Sequence, residues 1–227
     1  MYYRLCPTPV LEGVYDVRKP DLEVRWLSGQ SISTPLPNPI ELELDDRFGT
    51  RMADIFERGI LVMSDRLVAA IQRAGVTNLQ TFPAVLNDAR RGLRLPGFQV
   101  VQILGRIKAA DPNESTVYDP DGIGRDVIGF EKLVIDDEAA HGLLLFRMLE
   151  SASTIIVHEK VKQELDKEQW QFVSVHPTDE NPDPLDLNGY AGTQRTTPRD
   201  EEDEEDEEDE EDEEDNTDDD AEDDNVS

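Results

Sequence analysis

The stretch "GILVMSDRLVAAIQRAGV", residues 59–76, constrains the fold more than any other part of the chain. Ile60 to Met63 read as a short apolar strand. Ser64 is a good helix N-cap, Asp65 suits the first turn, and Leu67, Val68 and Ile71 share one helical face. Gly75 fits the C′ position that ends a helix in the left-handed region. "LQTFPAVL" (79–86) then resumes as strand. The same order returns further on. Shifted by 94, residues 61–83 fall on 155–177: Met63 meets Val157, Asp65 Glu159, Arg66 Lys160, Leu67 Val161, Ile71 Leu165 and Pro83 Pro177. Either this is an internal repeat, or it is the pattern that any strand–helix–strand unit shares. Both readings predict an α+β fold: a mixed, mostly antiparallel sheet covered by two or three short helices.

Further strands are expected at 1–6, 13–17, 22–27 and 40–44, where Ile40, Leu42 and Leu44 alternate with Glu41 and Glu43. Residues 31–39 read as a Pro-rich loop and 51–57 as one or two helical turns. Strands are expected at 98–111, bent at Gly105, and at 127–136 and 142–150. Residues 153–177 close the fold as strand, helix and strand.

Charge divides the chain. Of 52 acidic residues, 22 lie between Asp200 and Asp224, a stretch with no Lys or Arg; the remaining 30 stand against 22 Lys and Arg, a net charge of −8. Like-charge repulsion and the lack of apolar surface predict a disordered polyacidic tail over 200–227. Residues 179–199 read as a Pro/Asp/Gly-rich linker, in which Leu185, Leu187 and Tyr190 are candidates to dock, and 1–178 as the globular domain. Cys6 is the only cysteine, and no secretory or membrane-spanning pattern stands out, so the expected location is the cytoplasm.

Little in the chain points to catalysis. The segment "DPNESTVYDPDGIGRD" (111–126) resembles an EF-hand loop, with Asp111, Asn113, Ser115 and Asp119 at positions 1, 3, 5 and 9. Position 6 must be Gly and position 12 a bidentate Glu; here they are Thr116 and Gly122. The segment is therefore read as a hairpin connection with exposed acids. His158 lacks a second His four residues on, and is read as a helix-start residue. No nucleophile elbow or phosphate loop is present. The basic cluster "ARRGLRLPG" (89–97) reads as a solvated loop, and net charge disfavours direct nucleic-acid binding. No metal or cofactor is expected.

What remains is an acidic surface for a macromolecular partner, with Trp26, Asp111, Ser115, Tyr118, Asp119 and Asp121 as candidate contacts. The ordered motifs sharpen this. They are the Ser64–Leu67 helix start, Asn-Leu-Gln-x-Phe at 78–82, Asp111/Ser115/Tyr118, the Phe146–Arg147 pair and the second helix start at 156–160. Together, over most of residues 1–177, they resemble the bacterial immunity-protein family numbered eleven, common in myxobacteria. The resemblance implies a non-catalytic protein that neutralises a cognate toxin, expected to be basic, by forming a stoichiometric complex. Other readings are an inhibitor of an endogenous secreted enzyme such as a protease, a polyanionic nucleic-acid mimic or chaperone acting through the tail, and a hydrolase with a dispersed site.

Overall fold

The computed structural model describes residues 1–7, 13–118 and 129–180. In chain order the first part forms β1 (Tyr2–Pro7), β2 (Gly13–Val14), β3 (Asp16–Val17), β4 (Ile40–Asp45), β5 (Gly49–Arg51), β6 (Ile55–Glu57), β7 (Leu61–Ser64), α1 (Asp65–Arg73), β8 (Leu79–Asp88) and β9 (Leu93–Ile103). The second part forms β10 (Arg106–Ile107), β11 (Thr116–Tyr118), β12 (Gly129–Lys132), β13 (Leu145–Met148), β14 (Ile155–His158), α2 (Glu159–Leu165) and β15 (Val173–Pro177). A six-stranded sheet runs β3-β4-β8-β9-β7-β6 and a five-stranded sheet β10-β13-β14-β1-β15; β11-β12 and β2-β5 are two-stranded. Only β4/β8, β10/β13 and β2/β5 pair in parallel; the other pairings of named strands are antiparallel. The α+β reading holds, with two helices among the described residues. Neither is long and apolar enough to cross a membrane.

The sequence echo is a structural repeat. β7 and α1 begin at Leu61 and Asp65, β14 and α2 at Ile155 and Glu159, the same offset of 94. β7 and β8 flank β9 just as β14 and β15 flank β1, each central strand being antiparallel to both neighbours. The outer neighbours repeat too. Ile55, Phe56 and Glu57 of β6 face Met63, Val62 and Leu61; Leu145, Phe146 and Arg147 of β13 face Val157, Ile156 and Ile155.

This arrangement explains the short, wholly apolar runs. Ile55, Leu61 and Met63 of one half and Leu145, Ile155 and Val157 of the other meet in one core, closed by Leu67, Val68 and Ile71 of α1 and Val161 and Leu165 of α2. Phe56 and Val62 pack in a second core beneath the N-terminal segment, with Val14, Trp26 and Leu42. Phe146 and Ile156 pack in a third, with Tyr2, Phe130 and Leu133. A strand buried on both faces cannot alternate apolar with polar.

Helix ends follow the expected chemistry. The Ser64 hydroxyl accepts the Leu67 N–H at 3.3 Å. At the other end of α1, Gly75 (φ 100°) donates to Gln72 O and Val76 to Ile71 O, the paired bonds of a Schellman motif.

Three expectations need correction. Residues 22–27 do alternate in burial but join no ladder. Gln80 and Gln102, opposite each other on β8 and β9, supply the missing partners for the chain just beyond. The Gln102 Oε1 accepts Leu27 N–H at 3.1 Å while its Nε2 donates to Gln30 O at 2.9 Å. Gln80 bonds both backbone groups of Ile32 at 2.8 Å. Two side-chain amides thus substitute for a neighbouring strand. Residues 51–57 are not helical: Ile55 and Phe56 must enter cores on opposite faces of a sheet, which a strand allows. The strand from 98 starts earlier, at Leu93, and ends at Ile103; at Gly105 (φ 90°) the chain passes to the other sheet as β10.

Candidate partner-binding face

The turn at 111–115 is built by its own side chains. The Asp111 carboxylate accepts the N–H groups of Asn113 at 2.8 Å and Glu114 at 3.2 Å. Ser115 donates its N–H to Asp111 O at 3.0 Å. Its hydroxyl accepts Val134 N–H at 3.0 Å and donates to Val134 O at 3.1 Å, standing in for a backbone partner. An Asp oriented by N–H donors performs turn chemistry rather than cation ligation. Among the described residues no group of three or more His, Cys, Asp or Glu is placed to hold a metal.

The connection is more than a loop. Thr116–Tyr118 forms β11, with Val117 opposite Phe130 and Tyr118 opposite Gly129. Asp119 and Asp121 lie outside the described residues, as do the linker from residue 181 and the tail. The fold therefore brings Asp111, Ser115 and Tyr118 into one turn-and-strand unit. Trp26 is elsewhere: it is 8 % exposed, in the core under the N-terminal segment, with its ring edge-on to Phe82.

Next to the turn is a cleft of about 370 Å³, lined among others by Tyr2, Tyr3, Glu114, Lys132, Asp137 and Asp179. It forms where β1 begins, β12 ends and β15 passes into its following turn. Burial, and secondarily the Asp137 charge, push the Tyr2 phenol above its ordinary value, so it stays a neutral donor. Glu114, Asp137 and Asp179 are exposed, as are Glu131, Glu138 and Glu180 nearby in sequence. None of the six belongs to an ion pair of the described residues; the acids of this half that do are Glu164, Glu168 and Asp166. The arrangement is chemically suited to receive a cationic side chain against two tyrosines. Sequence reasoning missed the cleft because its walls come from opposite ends of the chain. The available signal was local: acidic runs at 136–138 and 178–180, each directly after an apolar stretch.

Several groups with reactive chemistry are engaged or muted. The His158 Nδ1 accepts Lys160 N–H at 3.2 Å and caps α2, and burial first, then the N-terminal charge, holds its pKa down. Burial pushes the Cys6 thiol up to about 11, far from a thiolate nucleophile. The basic cluster at 89–97 spans the β8–β9 turn and the start of β9, and it is tied down: Arg90 and Arg91 pair with Asp46, and Arg94 with Glu41.

The family model described as Immunity protein family (Imm11) matches residues 11–179. The chain belongs to this family. No curated protein matches it. The Imm11 match covers the described strands from β2 to β15, the 111–115 turn and most of the cleft lining, while β1, with Tyr2 and Tyr3, lies before it. Membership points to toxin neutralisation, and immunity proteins of this kind are generally non-catalytic.

Proposed function

We propose that this Imm11 protein neutralises a cognate, basic toxin in the cytoplasm by forming a stoichiometric, non-catalytic complex. On this reading the toxin is met by the acidic face of Asp111, Ser115, Tyr118, Asp119 and Asp121, extended by Glu114, Asp137 and Asp179. The observation that carries it is the group of exposed acids around the cleft with no ion-pair partner among the described residues. At the end of the six-stranded sheet Glu41, Asp45, Asp46 and Asp88 are matched by arginines; around the cleft the acids are left for a partner. Residues 1–178 are the binding domain and 179–199 the linker. The tail at 200–227 adds long-range attraction, steering a basic protein over roughly a Debye length of 8–10 Å.

Reversing Glu114, Asp137 and Asp179 to Lys should slow association with the toxin encoded beside this gene about tenfold or more at low salt, with a smaller effect at high salt. All three side chains are exposed, so the variant should keep its thermal transition. Deleting 200–227 should leave a 1:1 complex that forms more slowly. If the deletion abolished binding and the triple reversal did not change it, the tail and not the folded face would be the binding element.

A further inference from the structure

The acidic protein carries one surface whose outermost layer is guanidinium. At the end of the six-stranded sheet, β4 runs into the 46–48 turn and the β8–β9 hairpin closes beside it. There the side chains of Asp45, Asp46 and Asp88 are 2, 15 and 3 % exposed. Their partners Arg18, Arg47, Arg90 and Arg91 are 58, 61, 77 and 44 % exposed. Apart from Glu43, which is exposed and pairs with Arg18, anions lie beneath and cations above.

Neutralising the carboxylates explains only part of this. Asp45 is held by both Arg18 and Arg47, and Asp46 by both Arg90 and Arg91. Arg91 already serves Asp88, to which the Tyr15 hydroxyl also donates at 2.6 Å. Arg90 is therefore a cation beyond what the buried charges require. The same place carries two of the five large exposed apolar side chains among the described residues, Phe48 and Leu93. The Arg47 guanidinium lies 5.7 Å from the Phe48 ring centre. Leu93 sits opposite Asp88 in the hairpin register. Arginine and aromatic side chains are the residue types from which interface hot spots are built.

We infer that this Arg18–Arg47–Phe48–Arg90–Arg91 surface is a second toxin contact, one that grips an acidic protein segment through guanidinium–carboxylate pairs beside a Phe48 anchor. The inference rests on the immunity reading but uses a different face and the opposite charge. A protein segment fits better than nucleic acid. With Glu43, which pairs with Arg18, four cations stand against four anions, leaving no excess for the counterion release that drives phosphate binding. The planar donor fork of arginine binds a carboxylate bidentately, and what separates the two partners is Phe48 and Leu93, which offer apolar contact that a phosphate backbone cannot use.

The test uses the full chain, the toxin encoded beside its gene, and the variants Arg90→Glu and Phe48→Ala. Losing Arg90 leaves Asp46 with Arg91, so both variants should fold, as checked by their thermal transitions. Each should weaken binding about tenfold, mainly through faster dissociation. Wild-type binding together with affinities within about twofold for both variants would overturn the inference and leave the immunity reading standing. Failure of the wild type to bind would overturn both. So too would the inference fall if Arg90→Glu left toxin binding intact while abolishing self-association or binding to duplex DNA, since the surface would then serve a second copy or a nucleic acid.

Discussion

Replacing Arg147 with Met should destabilise the protein by about 3–5 kcal/mol, because it leaves a carboxylate buried without its counter-charge. The Arg147 side chain is 1 % exposed, and its Nη1 pairs with Glu57, 9 % exposed, at 2.5 Å. Glu57 and Arg147 occupy equivalent places in the two halves, each the third residue of the strand outside β7 or β14, opposite Leu61 and Ile155. The repeat thus brings its own equivalent residues together as an ion pair, and the pair joins the two sheets. Arg147 also donates to Ala152 O at 2.5 Å, while its Nε and Nη2 find no hydrogen-bond partner among the described residues. An ion pair so incompletely satisfied gives little net stability over an apolar substitute. The double variant Glu57→Leu/Arg147→Met should therefore recover most of the loss. Burial already pushes the Glu57 carboxyl up, against the pull of Arg147. Without Arg147 it should rise further. A folded-state pKa above the unfolded value confers stability at low pH that is lost as pH rises, so the single variant should be less impaired at pH 5 than at pH 7. Urea unfolding at the two pH values checks both the size and the direction.

Asp54→Ala should cost about 3 kcal/mol by a different route, since it removes the junction where three chain segments meet. The Asp54 carboxylate accepts the Ser64 hydroxyl at 2.6 Å, the Arg66 guanidinium at 2.9 and 2.5 Å, and Gln171 N–H at 2.8 Å. Arg66 in turn lies 4.6 Å from the Trp170 ring centre and donates to Gln169 O. One carboxylate therefore fixes the start of α1 and ties β6 to the loop before β15. Burial raises the Asp54 pKa, but the bonds from Arg66, Gln171 and Ser64 outweigh it, and the carboxyl stays below its ordinary value. Asp45 and Asp88 are held at about 2 for similar reasons, the first chiefly by Arg47, the second by Tyr15 and Arg91. For an acid with a depressed folded-state pKa, stability is present above the unfolded value near 3.9 and is lost as pH falls through the folded one. The wild type should therefore lose stability steeply below about pH 4, and the Asp54→Ala variant less steeply.

The residues that signalled the family do structural work. Ser64 caps α1 and binds Asp54. Asn78 donates to Leu104 O at 3.0 Å and Leu145 O at 2.9 Å, joining the two halves. Gln80 holds residue 32, Ser115 holds residue 134, and Arg147 reaches Glu57. A family pattern made of scaffold residues is easy to see in one sequence, because caps, turns and strand periods are local signals.

What stayed hidden was long-range. Nothing near residues 27–32 shows that their backbone partners will be the side chains of Gln80 and Gln102. Nothing near Glu57 foretells Arg147, although the 94-residue echo was the clue that the two halves would face each other. Among the candidate contacts, Asp111, Ser115 and Tyr118 lie within nine residues and were found together, whereas Tyr2, Asp137 and Asp179 meet only through the pairing of β1 with β15 and the packing of the 129–137 segment on them. Trp26 is a candidate contact because aromatic residues favour interfaces; its alternation with Leu22 and Val24 points equally well to the core, where it lies.

On the proposed function, this Imm11 protein works by occupancy. This is tested most directly by titrating the purified chain into a fixed amount of the toxin encoded beside its gene and following toxin activity. Activity should fall in proportion to added protein and vanish at one equivalent, with the complex recoverable intact. Full inactivation by a small fraction of an equivalent, or undiminished toxin activity in the presence of excess chain, would contradict it.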